Sequence, residues 1–199
     1  LKGLLTLSDI ARFYMEDQDA NALAEAKTSY RNLVDVLDGT LVTGEIEKRF
    51  EQGSVVVAAA NPDVMEDYIG PNDMVILGNR YESQLCAIEM NAGCMVIGLG
   101  AKVSRTIRKL ALENNVSIIA TPLDTYTCVK VVSQAVPVRH VMRRKGLITF
   151  EPEDTVDDVK RTVSKKRIRY YPLLDEQGRY IGMFSQRNLL DLERPSVIL

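Results

Sequence analysis

Two short stretches near opposite ends of this 199-residue chain carry residues that could bind an anion. Thr6 is followed three residues later by Asp9, Ser185 is followed three residues later by Asn188, and a glycine and two apolar residues precede each hydroxyl. A hydroxyl at this spacing often caps a helix, so the pattern has a structural explanation. The same geometry also points helix-start amides at an anion and lets the third residue accept a hydrogen bond from a ribose. Because the pattern occurs twice, we favour the anion site over the cap.

The second copy follows a predicted β-hairpin. Residues 166–174 have the pattern of a strand in which basic residues are followed by aromatic and aliphatic ones, residues 175–178 have the composition of a turn, and residues 180–184 form a second apolar run. Before the hairpin, residues 155–165 carry apolar side chains three and four positions apart, which predicts a helix. Ser185 is then the capping hydroxyl of a further helix. The predicted order is helix, strand, strand, helix.

Basic residues are concentrated around this hairpin. Residues 136–192 hold 12 Lys and Arg against 8 Asp and Glu, whereas residues 1–135 hold 12 against 18. The cations at Lys160, Arg161, Lys165 and Lys166 are best explained as a solvated helix face. Arg169 and Arg187 stand at a strand end and a helix start, where a guanidinium can bind phosphate through two hydrogen bonds. The net charge of -2 and the lack of a basic stripe make nucleic acid a poor partner.

The sequence contains no recognisable catalytic set. It has no GxSxG or HExxH motif, and the carboxylates of residues 151–158 lie at a predicted helix start, which the helix dipole alone favours. The single histidine, His140, excludes a mechanism that needs a histidine pair. Cys86, Cys94 and Cys128 lie in apolar surroundings without CxxC spacing, which predicts reduced core thiols and no metal site. No apolar run approaches 18 residues and no secretory leader is visible, so we expect a cytoplasmic protein without a membrane partner.

Between the two copies, apolar runs alternate with helical patterns. Buried strands are predicted at residues 55–60, 74–77, 94–97 and 116–119. The helices predicted between and around them cover residues 17–27, 45–51, 81–90, 103–114 and 125–133. Alternation of strands and helices indicates a largely parallel sheet covered by helices. The loop Gly98–Gly100 with Ser104 is too incomplete for a phosphate loop, and a structural turn is the better explanation.

The C-terminal unit resembles a CBS module. The resemblance is carried by a short leading strand at residues 147–149, the strand at residues 171–174, the turn glycine Gly178, and the junction at residues 182–188. In that family, paired modules form clefts for adenine nucleotides. The resemblance implies that Arg169 and Arg187 contact phosphate. It further implies that the base lies against Tyr170, Tyr171 and Pro172. The backbone of Gly146, Leu147 and Ile148 would bind the edge of the adenine. Ser185 and Asn188, at the junction, would bind phosphate and ribose.

The middle unit resembles the DRTGG domain, roughly from Tyr30 to Val132. The resemblance rests on Gly78-Asn79-Arg80 before a helix, on Met95–Gly100 closing a strand, and on Asp124-Thr125-Tyr126 opening the last helix. Asn79 stands where the family has Asp, and Gly98-Leu99-Gly100 stands where Thr-Gly-Gly is usual. The expected fold class is therefore α/β, with α+β CBS units flanking a DRTGG-type, mainly parallel α/β sheet domain.

The order CBS, DRTGG, CBS resembles the regulatory insert of CBS-containing family II inorganic pyrophosphatases, which are manganese-dependent enzymes. We expect a segment of a longer polypeptide in which Thr6 and Asp9 belong to an incomplete first module. The expected divisions are 1–16 for that module, 17–29 for a linker helix, 30–134 for the DRTGG domain, 136–193 for the second CBS module, and 194–199 for a return to the catalytic domain.

This resemblance implies a regulatory region without catalytic residues of its own. Its ligands would be AMP and ADP as inhibitors, and ATP or a diadenosine polyphosphate as activators, with Mn²⁺ in catalytic domains that this chain lacks. A homodimer is also expected, through apolar side chains at Ile10, Phe13 and Tyr14 and at Leu189, Leu190 and Leu192. Two alternatives are a fragment of a DRTGG-containing acyl- or phosphoryl-transfer enzyme and a purely structural dimerisation insert.

Overall fold

The structure, a computed structural model, describes residues 1–15, 20–164, 166 and 168–187. The chain forms two compact units: unit 1 consists of Leu1–Asp9 and the chain from Met142 onward, and unit 2 consists of Ile10–Val141. The helices described are α1 (Leu7–Met15), α2 (Ala22–Glu25), α3 (Tyr30–Val36), α4 (Pro62–Met65), α5 (Tyr81–Glu89), α6 (Arg105–Glu113), α7 (Thr125–Val132), α8 (Val138–Val141) and α9 (Val156–Ser164). The strands described are β1 (Thr28–Ser29), β2 (Thr40–Thr43), β3 (Arg49–Phe50), β4 (Val55–Val57), β5 (Met74–Leu77), β6 (Cys94–Ile97), β7 (Ser117–Ala120), β8 (Tyr170–Leu174) and β9 (Tyr180–Ser185).

Unit 2 is built on a five-stranded sheet in the order β2-β7-β6-β5-β4. Strands β4 to β7 run parallel in sequence order, and β2 adds an antiparallel edge beside β7. Every residue of β5 and β6 is buried, as expected for strands covered on both faces. The expected α/β class with a mainly parallel sheet is therefore confirmed.

Alternate residues of each central strand pack into two separate cores. One core lies against α3 and α7, and the other lies against α4, α5 and α6. The first contains Met74 and Ile76 of β5, and the second contains Val75 and Leu77 of the same strand. The thiols of Cys86, Cys94 and Cys128 are free and buried in these cores, and burial raises the pKa of Cys94 to about 12.

Two predicted helices of unit 2 differ in the structure, and one strand was not predicted. Residues 45–51 were expected to be helical, but they form a turn and β3, which pairs antiparallel with β1. Gly44 and Gly53, which flank this stretch, both have positive φ, and Phe50 is buried in the first core. A short strand is compatible with the backbone conformation of the two glycines and with the burial of Phe50. Within 17–27, helix is described only at α2, and β2 was not predicted at all.

Unit 1 contains the predicted hairpin with α9 before it. Strands β8 and β9 pair antiparallel, and Asp175 stabilises their turn by accepting hydrogen bonds from the amides of Gln177 and Arg179. Helix α9 packs through Val159 and Val163 against a small aromatic core. The leading strand expected at 147–149 does not form, and only Phe150 makes a parallel bridge to β8. Among the described helices of both units, none has the length and apolar character needed to cross a membrane.

The two-sided burial of the central sheet generates a stability prediction. Leu77 is fully buried, whereas Leu112 on α6 is 59% exposed. We expect Leu77→Ala to lower the free energy of unfolding by about 2 to 5 kcal/mol, because it leaves a cavity. Leu112→Ala is the matched control and should change it by less than about 0.5 kcal/mol. Urea denaturation followed by circular dichroism measures both, and equal losses would contradict the buried placement of β5.

Candidate functional site

A cavity of about 240 Å³ lies at the open end of the unit 1 hairpin. Its position follows from the strand register, because Tyr170 at the start of β8 pairs with Ser185 at the end of β9. The amide of Gln186 continues this pairing by donating to the Arg169 carbonyl at 3.1 Å. The cavity is lined by Arg169, Tyr170, Ser185, Gln186 and Arg187. The structure therefore brings together four of the residues that the sequence singled out.

The charge of this cavity is positive. Arg169 and Arg187 are both exposed, and neither has an ion pair or hydrogen-bonded side-chain partner among the residues described. The lining includes no carboxylate. Two guanidinium groups without an internal anion are suited to bind the oxygens of a phosphate. The ring of Tyr170, which is 46% exposed, offers an aromatic surface beside them.

Tyr171 and Pro172 are not exposed to a ligand in this structure. Tyr171 is fully buried, and its ring lies 5.3 Å from Phe150 and 6.5 Å from Phe184 between ring centroids. Burial raises the pKa of its phenol. Tyr171 therefore belongs to the core that fixes the hairpin, and its expected contact with a base is wrong for this conformation. The alternation of side chains along β8 explains why Tyr170 and not Tyr171 faces the cavity.

The backbone expected to bind the adenine edge lies outside this cavity lining. Gly146 has φ +64° and Ile148 packs on the aromatic core, while Phe150 donates its amide to the Pro172 carbonyl at 3.0 Å. The chain runs parallel to β8 at the bridge between Phe150 and Leu173, so residues 146–148 precede the bridge in the direction of the first residues of β8. Their contact with a base stays a prediction. Asn188 lies outside the described residues.

Thr6 and Asp9 form the capping motif and not an open ligand site. Both the amide and the hydroxyl of Thr6 donate to Asp9 Oδ2, at 2.9 and 2.6 Å, at the start of α1. Arg143 donates to Asp9 Oδ1 at 2.9 Å, and Asp9 is only 5% exposed. Burial acts to raise the pKa of Asp9, but the hydrogen bonds from Thr6 and Arg143 outweigh it and lower the pKa. The expectation that this carboxylate is free to bind a ribose is corrected.

Two residues near these groups were missed by the sequence. Gln186 lines the cavity, although the repeated pattern of glycine, apolar residues, hydroxyl and Asp or Asn does not include its position. Arg143 binds Asp9 and exchanges two backbone hydrogen bonds with Leu4. The signal for Arg143 was its place in the basic run 143–145, but a run of like charges does not show which member is paired.

In unit 2, the loop at residues 98–100 is a structural turn. The amides of Gly98, Leu99 and Gly100 donate to the carbonyls of Leu77, Leu123 and Thr121. These amides are therefore unavailable to a phosphate. In the described part of the chain, no group of three His, Cys, Asp or Glu side chains is placed to hold a metal ion.

Comparison with known proteins agrees with this architecture. Residues 32–135 match the DRTGG domain, and residues 138–194 match the CBS domain. The chain is 33% identical over 198 residues to the cobalt-dependent inorganic pyrophosphatase of Clostridium perfringens, covering 100% of this chain and 36% of that protein. It is 29% identical over 197 residues to a probable manganese-dependent inorganic pyrophosphatase of Thermotoga maritima, covering 99% of this chain and 36% of that protein.

A solved structure with a high similarity score matches across both units. It is the crystal structure of the CBS and DRTGG domains of the regulatory region of Clostridium perfringens pyrophosphatase, complexed with the activator diadenosine tetraphosphate. The TM-score is 0.85 at 35% identity, and the match covers 94% of this chain and 81% of that one.

This chain therefore belongs to the DRTGG domain family and carries a CBS domain after its DRTGG domain. Its whole length matches the CBS–DRTGG regulatory region of metal-dependent inorganic pyrophosphatases, which confirms the resemblance found in the sequence. The chain spans about a third of the length of the curated relatives it matches. The matched part is their regulatory region, as expected for a chain without a catalytic set.

The Asp9–Arg143 pair generates a pH prediction. The pKa of Asp9 is lower in the folded chain than the unfolded value of about 3.9, so the pair stabilises unit 1 above that pH. This contribution is lost as the pH falls through the lowered pKa. We expect Asp9→Asn to cost about 1 to 3 kcal/mol at pH 7 and progressively less toward pH 3, measured by urea denaturation.

A carboxylate elsewhere in unit 1 provides the control for this experiment. Asp157→Asn removes an exposed carboxylate that pairs with Arg161 on the surface of α9, and it should cost less than about 0.5 kcal/mol at pH 7. If Asp9→Asn were as mild as Asp157→Asn at pH 7, the buried pair would not stabilise unit 1.

The core position of Tyr171 generates a second prediction. Its hydroxyl is buried and has no hydrogen-bond partner among the described residues. Tyr171→Phe should therefore raise the free energy of unfolding by about 1 kcal/mol and leave ligand affinity within about twofold. Tyr170→Phe is the matched control for stability and should have little effect. A folded Tyr171→Phe variant with strongly weakened nucleotide binding, measured by calorimetry, would return Tyr171 to the ligand site.

Proposed function

We propose that the cavity at the open end of the unit 1 hairpin binds the phosphate groups of an adenine nucleotide. The observation that supports this best is the convergence in one cavity of Arg169, Arg187, Ser185 and the exposed Tyr170, with neither arginine paired to a described residue. A phosphate between the guanidinium groups would receive charge-assisted hydrogen bonds, and a base could stack on the ring of Tyr170. The diadenosine tetraphosphate complex of the related regulatory region supports the choice of an adenine nucleotide.

The size of the cavity supports a site completed by further residues. At about 240 Å³ it is smaller than typical ligand pockets of about 300 to 1,000 Å³. A diadenosine polyphosphate has two equivalent adenosine ends, which suits two copies of the site related by twofold symmetry. We therefore propose a homodimer in which each copy contributes one cavity, with AMP, ADP or ATP binding to a single cavity.

The apolar residues first assigned to the dimer interface support it unequally. Ile10 on α1 is exposed, but Phe13 packs against the first core of unit 2 and is therefore committed to its own chain. The positions Leu189, Leu190 and Leu192 lie outside the described residues, as does the side chain of Tyr14. Exposed apolar side chains of the hairpin, Ile181 and Met183, are further candidates for this interface.

In the whole protein we propose that this region regulates a cytoplasmic, manganese-dependent inorganic pyrophosphatase. AMP and ADP would inhibit, and ATP or diadenosine polyphosphates would activate. Linkage requires that a regulatory ligand binds the two states of the enzyme with different affinities, because equal affinity shifts nothing. Ligands with one phosphate and with several phosphates place different charge and bulk between the arginines, which supplies such a difference.

Calorimetric titration with AMP, ATP and diadenosine tetraphosphate tests nucleotide binding. Arg169→Ala and Arg187→Ala should each weaken binding by about tenfold to a hundredfold, because each removes a charge-assisted contact. Arg161→Ala is the matched control, since Arg161 is an exposed arginine of the same unit that pairs with Asp157 on α9. It should leave affinity within about twofold.

Two results would contradict the assignment. Unchanged affinity in a folded Arg169→Ala variant would remove the phosphate role of this cavity. Absence of binding by the unmodified chain for all three nucleotides would favour a purely structural dimerisation insert.

A further inference from the structure

A second cavity of about 210 Å³ lies in unit 2, where the parallel strands β4 and β5 end. It is lined by Ala58, Ala59, Gly78, Asn79, Arg80 and Ser83. In open α/β sheets, the edge formed by the carboxyl ends of the strands is the usual place for ligands. At Gly78 an added Cβ would meet no atom within 4 Å, so the space beside this edge is open.

Helix α5 begins at this cavity, and the amides of its first three residues have no acceptor among the residues that the structure describes. Its N-cap residue is Arg80, which makes no side-chain capping bond. In α3, α6 and α7 the N-cap side chains of Ser29, Ser104 and Asp124, respectively, accept a hydrogen bond from a first-turn amide. The N-cap residues of the short helices α2 and α4, like Arg80, make no such bond. A helix start with free amides carries partial positive charge and attracts anions.

Ser83 gives the independent sign of a ligand. This residue is in the first turn of α5, is only 4% exposed, and lines the cavity. Its hydroxyl makes no hydrogen bond to any residue that the structure describes. Because this side chain has so little exposed surface and lines the cavity, its hydroxyl is available to a group bound in the cavity. The neighbouring Gln84 does not fill this role, because its side-chain amide donates to the Gly78 carbonyl.

The charge at the cavity is also suited to an anion. Arg80 is exposed at its mouth and forms no ion pair with a described carboxylate. Glu82, the acidic residue of the first turn, is exposed and is not part of the lining. A guanidinium at the mouth, a hydroxyl in the wall and several amides at the helix start together match the donors that a tetrahedral oxyanion accepts.

We propose that this cavity binds a phosphate group, as inorganic phosphate, pyrophosphate or the phosphoryl group of a small molecule. The amides of residues 81–83 and the Ser83 hydroxyl donate to its oxygens, and Arg80 binds it through the guanidinium. The site is separate from the nucleotide cavity of unit 1 and does not depend on it.

Amide NMR spectra of the ¹⁵N-labelled 199-residue chain test this proposal. The chain is titrated separately with inorganic phosphate, with pyrophosphate and with AMP, each balanced by chloride to constant ionic strength. Saturable shifts are expected at residues 79–83, and comparison of the three titrations identifies the preferred form. Arg80→Gln should weaken this binding by about tenfold or more, and Ser83→Ala should weaken it by about tenfold.

Arg105 supplies the matched control. It is an exposed arginine at the start of α6, whose first-turn amide at Ile107 is already accepted by Ser104. Arg105→Gln should leave phosphate affinity within about twofold. If Ser83→Ala does not fold, as judged by its amide spectrum, Arg80→Gln decides alone.

The proposal is overturned if residues 79–83 show no saturable shift with phosphate or pyrophosphate up to about ten millimolar. It is also overturned if Arg80→Gln and Arg105→Gln weaken binding equally, because that result indicates nonspecific attraction of an anion. Shifts confined to residues 169–187 would assign all phosphate binding to unit 1 and would likewise overturn it.

Discussion

The antiparallel pairing of Tyr170 with Ser185 is the interaction on which the unit 1 cavity depends. It places Arg169 and Arg187, which are distant in sequence, at one end of a hairpin. Isolated hairpins are only marginally stable in water, so this pairing needs support. Packing of Tyr171 against Phe150, with α9 over the same core, provides that support. Buried Tyr171 and exposed Tyr170 therefore have complementary roles on opposite faces of one strand.

In unit 2, side chains also alternate between the two faces of each strand, but here both faces are buried. Its central strands are buried on both faces, so polar groups are available only at the strand ends and helix starts. Side chains or carbonyl oxygens already bind the amides at several of these positions, as at Ser104, Asp124 and the 98–100 turn. The start of α5 has no capping side chain and lines a cavity together with Ser83, and we propose that a ligand binds there.

Much of this arrangement could be predicted from the sequence. Four consecutive apolar residues identified β5 and β6, and the hairpin followed from two apolar runs around Asp175–Gly178. The helix predicted at residues 45–51 was wrong, because a helix-forming composition does not show that Phe50 packs in a core formed by residues distant in the sequence. The roles of Tyr171 and Asp9 failed for a related reason. A motif gives the residue types of a site, but only the packed structure shows which side of a strand faces solvent. Only the structure also shows that Arg143 already donates a hydrogen bond to the Asp9 carboxylate.

The central claim is that this chain is a nucleotide-responsive regulatory region, and transfer of its response to an enzyme tests that most directly. The chain would replace the region that it matches in the cobalt-dependent pyrophosphatase of Clostridium perfringens, and pyrophosphate hydrolysis would be measured at nucleotide saturations confirmed by binding. We predict that AMP lowers and diadenosine tetraphosphate raises the rate, with coupling of about 1 to 3 kcal/mol. Equal rates with AMP, with diadenosine tetraphosphate and without nucleotide would contradict the account.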